Sequence, residues 1–75
     1  MNERERAICA RVKQFREDIK WPQEDFAKAL KISRNRFANV EYGRAPLRLI
    51  LGLNICEVFG ANGEWIATGQ GSMHG

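Results

Sequence analysis

The sequence predicts an all-α chain, five short helices packed as one small domain. Three observations predict it. Ile8, Val12, Phe15 and Ile19 recur at steps of four, three and four, which is one face of a helix. The stretch Gln23–Gly43 holds two short helical patterns, parted at Lys31-Ile32 and punctuated by Ser33 and Gly43. A leucine-rich segment begins at Pro46 and meets a glycine stop at Gly60.

The first helix is expected over Glu3–Lys20, with Asn2 as N-cap and an end imposed by Pro22. The second runs from Gln23 to Leu30. Glu24 and Asp25 sit in its first turn, where the helix dipole favours negative charge. Trp21 and Phe26 are spaced to form a hydrophobic staple around its start. Lys31 is expected in the left-handed conformation, at a cost of about 1 kcal/mol relative to glycine. The third helix is capped by Ser33 and ends near Tyr42, with Gly43 just beyond. Phe26, Ala27, Leu30, Ile32, Phe37 and Val40 are the apolar residues expected to join helices two and three.

The fourth helix is expected from Pro46 to Phe59, with Leu51, Ile55, Val58 and Phe59 toward the core. Leu47, Leu49, Ile50 and Leu53 then leave it apolar almost all round, which suggests a second buried face between subunits. Asn62 is expected to cap a last helix, Gly63–Thr68, carrying Trp65 and Ile66. Residues 1–69 form the expected domain, and residues 70–75, small, polar and glycine-rich, a disordered tail.

With 75 residues there is room for one domain. The charged start MNERERAIC is unlike a signal peptide, and no apolar run approaches the roughly 20 residues that span a bilayer. A cytoplasmic protein with no membrane association is expected. Cys9 and Cys56 lie inside apolar helical patterns and read as reduced, buried thiols. One histidine and two distant cysteines match no metal-site spacing, and no cofactor is expected. No nucleophile has a candidate base, and no glycine loop could cradle phosphate, so no enzyme activity is expected. All 12 Lys and Arg residues precede position 49, and six of them lie in Lys28–Arg48 against one acid, Glu41. Such local positive charge on a small domain suits a polyanion.

Several segments together carry a family resemblance: RVKQFRE in the first helix, QEDFAKAL in the second, ISRNRFANVEYG through the third, and the ending FGANGEWIATG. Arg11 to Gly69 resembles the lambda-repressor/Cro-like helix-turn-helix family, also called the xenobiotic-response-element family. The resemblance implies a five-helix lambda-repressor-like domain whose third helix lies in the DNA major groove. It implies that Gln23 touches the DNA backbone and braces the third helix, and that Ser33, Arg34, Asn35 and Asn39 meet DNA. Arg36 would reach bases or phosphate. Arg16 and Glu41 match a buried structural ion pair. Four features depart from the pattern: Lys31 for a turn glycine, Pro22 for a polar cap, Tyr42 for a small polar residue, and the leucine-rich stretch before Gly60.

At about 100° per residue, Asn35, Ala38, Asn39 and Tyr42 share the side opposite Phe37, Val40 and Glu41. An asparagine amide matches the N6 and N7 of adenine, and an arginine matches the O6 and N7 of guanine. Asn35, Asn39 and Arg34 are therefore the candidate base readers. Lys13, Lys31, Arg44 and Arg48, with Gln23, Ser33 and Arg36, are candidate backbone contacts. Leu49, Leu53 and Trp65 are candidate dimer contacts, with monomer core as the other reading of Trp65. The expected function is a sequence-specific transcriptional regulator, a repressor of prophage or plasmid type. It would bind double-stranded operator DNA as a homodimer. The alternative is an antitoxin or other interaction module on the same fold, with a toxin or anti-repressor as protein partner.

Overall fold

A computed structural model describes all of residues 1–75. It contains five helices: α1 Glu3–Asp18, α2 Gln23–Ala29, α3 Arg34–Glu41, α4 Leu49–Phe59 and α5 Gly63–Thr68. The all-α expectation holds. No helix is long and apolar enough to cross a membrane.

The starts of the helices follow local side-chain chemistry. Asn2 and Glu5 form a reciprocal capping box at α1. Ser33 Oγ accepts from the Arg36 N–H at 3.1 Å, and Asn62 accepts from the Glu64 N–H at 3.1 Å. Pro22 supplies no side-chain cap for α2, but its ring is compatible with the extended cap backbone.

The first three helices end alike. After α1 the N–H groups of Lys20 and Trp21 donate to the carbonyls of Glu17 and Arg16. After α2, Lys31 and Ile32 donate to Lys28 and Ala27, and after α3, Gly43 and Arg44 donate to Val40 and Asn39. Each is a paired closure that needs a left-handed residue. That residue is Lys20 (φ 62°), Lys31 (φ 61°) and Gly43 (φ 73°) in turn. The sequence marks Lys31 for this conformation but not Lys20. The turn at Lys20 stops α1 at Asp18, two residues before its expected end.

The core is formed by Cys9, Val12 and Phe15 of α1, Phe26 and Ala27 of α2 with Leu30, Phe37 and Val40 of α3, Leu51 and Ile55 of α4, and Ala61, Trp65 and Ile66. α2 packs on α3, α1 on both α3 and α5, and α4 on α5. Phe59 separates the two members of the expected staple. Its ring stacks on Phe26 at 4.1 Å and takes Trp21 edge-on at 4.9 Å.

Two expectations are corrected. α4 starts at Leu49, not Pro46, because Arg48 is the extended cap residue and Leu47 folds back over Gly52. A Cβ at Gly52 would stand 3.4 Å from Leu47 Cδ2, in van der Waals contact with that leucine. Val58 is exposed, because it faces an open depression shared with Ala29, Leu30 and Lys31. The tail of residues 70–75 is laid along the α4–α5 turn. Asn62 N–H donates to Met73 O (3.0 Å), Gly75 N–H to Gly60 O (2.8 Å) and Asn62 Nδ2 to Ser72 O (2.8 Å). Met73 packs on the core, and the His74 ring lies 5.1 Å from that of Phe15, with Nε2 2.9 Å from Asp18 Oδ2. The turn has backbone groups to satisfy, and the tail satisfies them.

Candidate nucleic-acid interface

α3 buries one side and exposes the other. Phe37, Val40 and Glu41 are buried, whereas Ser33, Arg34, Asn35, Arg36, Asn39 and Tyr42 are exposed. The expected base readers thus share one solvent-facing arc at the start and middle of one helix. Ser33, one residue before Arg34, is held by its capping bond.

Beneath that arc lies a connected polar network. Glu41 is 5% exposed. Arg16 Nε donates to its Oε2 at 2.7 Å, and Arg16 Nη2 to Oε1 at 3.3 Å, a bidentate pair. The expected Arg16–Glu41 pair is therefore present and buried on the carboxylate side. Gln23 Nε2 donates to the same Oε1 at 2.8 Å, and Gln23 Oε1 accepts from Arg34 Nε at 3.3 Å. Only this orientation of the Gln23 amide serves both neighbours. The reverse would set its oxygen against the carboxylate and its N–H₂ against the guanidinium. Arg16 Nη1 also donates to the Trp21 carbonyl at 2.8 Å. One chain of bonds thus runs from α1 through the buried carboxylate of α3 to the first residue of α2, then out to Arg34.

No side-chain nitrogen or oxygen is left buried without a partner. A buried carboxylate removed from water demands such pairing. That demand places Gln23, and Gln23 in turn restrains Arg34. The resemblance implies the ion pair and a Gln23 brace on α3, but not that Gln23 bonds Glu41 and Arg34.

The flanking cations divide into groups. Arg36, Asn39 and Arg48 line one small concavity between α3 and the start of α4. Lys13 and Arg44 each stand over the Tyr42 ring, at the far end of α3. Lys31 is exposed on the α2–α3 turn. The dimer candidates also separate. Leu49 is 75% and Leu53 53% exposed, beside a groove of about 310 Å³ lined by Ile8, Leu47, Gly52, Cys56 and Ile66. Trp65 is 8% exposed and belongs to the monomer core, leaving it little surface to offer a partner.

Sequence reasoning missed Arg11. Its Nε donates to Ile66 O at 2.7 Å and its Nη2 to Ala67 O at 3.0 Å, placing a cation on the last carbonyls of α5. An arginine in the middle of α1 carries no local sign of a partner 55 residues away.

Burial raises the pKa of both thiols. For Cys9 desolvation dominates, a backbone hydrogen bond with Leu47 opposes it, and the Glu5 carboxylate adds to it. For Cys56 desolvation is the cause. Both are free thiols.

No family model, curated protein or solved structure matches the chain, so the functional reading rests on its own residues and geometry.

Proposed function

We propose that the protein is a sequence-specific DNA-binding transcriptional regulator of the lambda-repressor/Cro-like helix-turn-helix type. α3 enters the major groove, with Arg34, Asn35 and Asn39 reading bases. Gln23, Ser33, Arg36, Lys31 and Arg48 face the backbone, together with Lys13 and Arg44. The protein works in the cytoplasm as a homodimeric repressor that occupies operator DNA and blocks polymerase.

One observation carries this reading. The exposed polar arc of α3 is backed by the Arg34–Gln23–Glu41–Arg16 chain of hydrogen bonds. Such backing holds a reading side chain before it meets its target, which lowers the entropy lost on binding.

Selection of bound duplexes from random DNA at moderate salt tests the reading. The expected outcome is an enriched motif arranged as two half-sites about one helical turn apart, reflecting a two-fold dimer. Recovery of no preferred duplex would sink it.

The exposed Leu49, Ile50 and Leu53 favour a second reading, in which α4 docks another protein such as a toxin or anti-repressor. Sedimentation of the purified chain separates the two. A homodimer favours the operator reading, and a monomer that pairs stoichiometrically with a co-expressed neighbour favours the second.

A further inference from the structure

The outward arc of α3 does not stop at Asn39. Tyr42 follows on the same side and is 54% exposed. Two cations from different elements stand at its ring. Lys13 Nζ of α1 is 5.9 Å from the centroid and Arg44 Cζ of the following loop is 5.3 Å. An aromatic face attracts cations through its quadrupole. Neither cation is neutralised by a carboxylate, since the two ion pairs of the chain are Arg16–Glu41 and His74–Asp18. The loop that carries Arg44 is itself seated. Arg44 and Ala45 N–H groups donate to Asn39 O at 2.8 and 3.1 Å, and Cys9 Sγ donates to Ala45 O at 3.5 Å.

We infer that Tyr42 is a positioning residue, whose ring holds Lys13 and Arg44 as a clamp for one phosphodiester of duplex DNA at the C-terminal end of α3. The inference rests on the DNA-binding reading. A recognition helix brings its N-terminal residues closest to the bases. Its other end therefore lies nearer the wall of the groove, where phosphates run. Two unneutralised cations placed at one ring match that wall in charge. A clamp of this kind sets register and carries no base preference.

The test compares wild type, Tyr42→Phe and Tyr42→Leu on a selected duplex and a scrambled one across a salt series. Tyr42→Leu keeps apolar bulk but removes the aromatic face. It is expected to weaken both duplexes by about tenfold at moderate salt and to flatten the log K against log salt slope by about 1, the value of one phosphate contact. Tyr42→Phe is expected to bind as wild type, because the ring and not the hydroxyl holds the cations. A wild-type slope for Tyr42→Leu, a loss confined to the selected duplex, or a Tyr42→Phe as weak as Tyr42→Leu overturns the clamp. Lys13→Gln and Arg44→Gln lie outside the core and keep the test decisive if Tyr42→Leu does not fold. Each is expected to flatten the slope by about 1, and wild-type slopes in both overturn the clamp. If the wild type selects a sequence while these slopes stay unchanged, only the clamp falls. If the wild type binds neither duplex at low salt, the DNA reading falls and the clamp with it.

Discussion

Gln23 donates its side-chain amide to Oε1 of Glu41 at 2.8 Å, joining the first turn of α2 to the buried last turn of α3. The same oxygen accepts from Arg16. Removing either partner of a buried pair leaves the other uncompensated. Glu41→Ala is therefore expected to destabilise the fold by about 3 kcal/mol, and Arg16→Ala by a similar amount. Urea denaturation measures both. Arg16→Met combined with Glu41→Leu is expected to recover part of the loss, because apolar replacement removes the desolvation cost as well. A double variant as unstable as the sum of the singles would refute this account.

Asn35 is exposed on α3 and lies outside the core. Under the proposed function, Asn35→Ala is expected to weaken binding to the selected duplex by about 1–3 kcal/mol. Its unfolding curve should match the wild type. Competition binding with single-base variants of the site measures the effect. An unchanged base preference would remove Asn35 from the reading set.

Lys31 holds a left-handed backbone at φ 61° on an exposed turn. Lys31→Gly relieves that strain and loses some stability through the greater freedom of the unfolded chain. Relief of strain outweighs that loss at a left-handed position, so a gain of about 0.5 kcal/mol is expected. Thermal melts at matched salt read it out. A loss of stability would show that the lysine side chain contributes more than the strain costs.

Met73 anchors the segment that follows α5 against the core. Met73→Ala is expected to destabilise by about 1–2 kcal/mol, since the residue is half-buried. Hydrogen exchange gives a second readout. The Asn62 amide, bonded to Met73 O, should exchange faster in the variant.

The two cysteines give a pH prediction. Their folded-state pKa values are raised by burial, so the folded state holds these protons more tightly than the unfolded state. Their contribution to stability is complete below the unfolded thiol value of about 8.5 and is lost as pH climbs from there toward the higher folded values. A urea midpoint that falls between pH 7 and pH 10, and falls less in Cys9→Ala, is the expected result. At neutral pH, alkylation of the folded protein should be slow, with half-buried Cys56 ahead of fully buried Cys9.

The residues determined by themselves what depends on near neighbours. Five helices, the caps at Asn2, Ser33 and Asn62, the glycine stop at Gly60 and the left-handed Lys31 were all legible, because each depends on groups within a turn. The outward arc of α3 was legible for the same reason, through the period of the helix. The left-handed Lys20 was not, because Pro22 is the only stop signal after α1 and the helical pattern carries through Lys20 up to it.

Tertiary structure decided what depends on distance across the chain. It left Val58 of α4 outside, although its spacing places it with the buried Leu51 and Ile55. It set Trp65 in the core, bound Arg11 to the end of α5 and drew the tail onto the α4–α5 turn. It linked Gln23 to Glu41 and brought Lys13 to Tyr42. Periodicity tells which residues share a face. What that face meets is decided by packing, where buried charge must find a partner and buried backbone must find a bond.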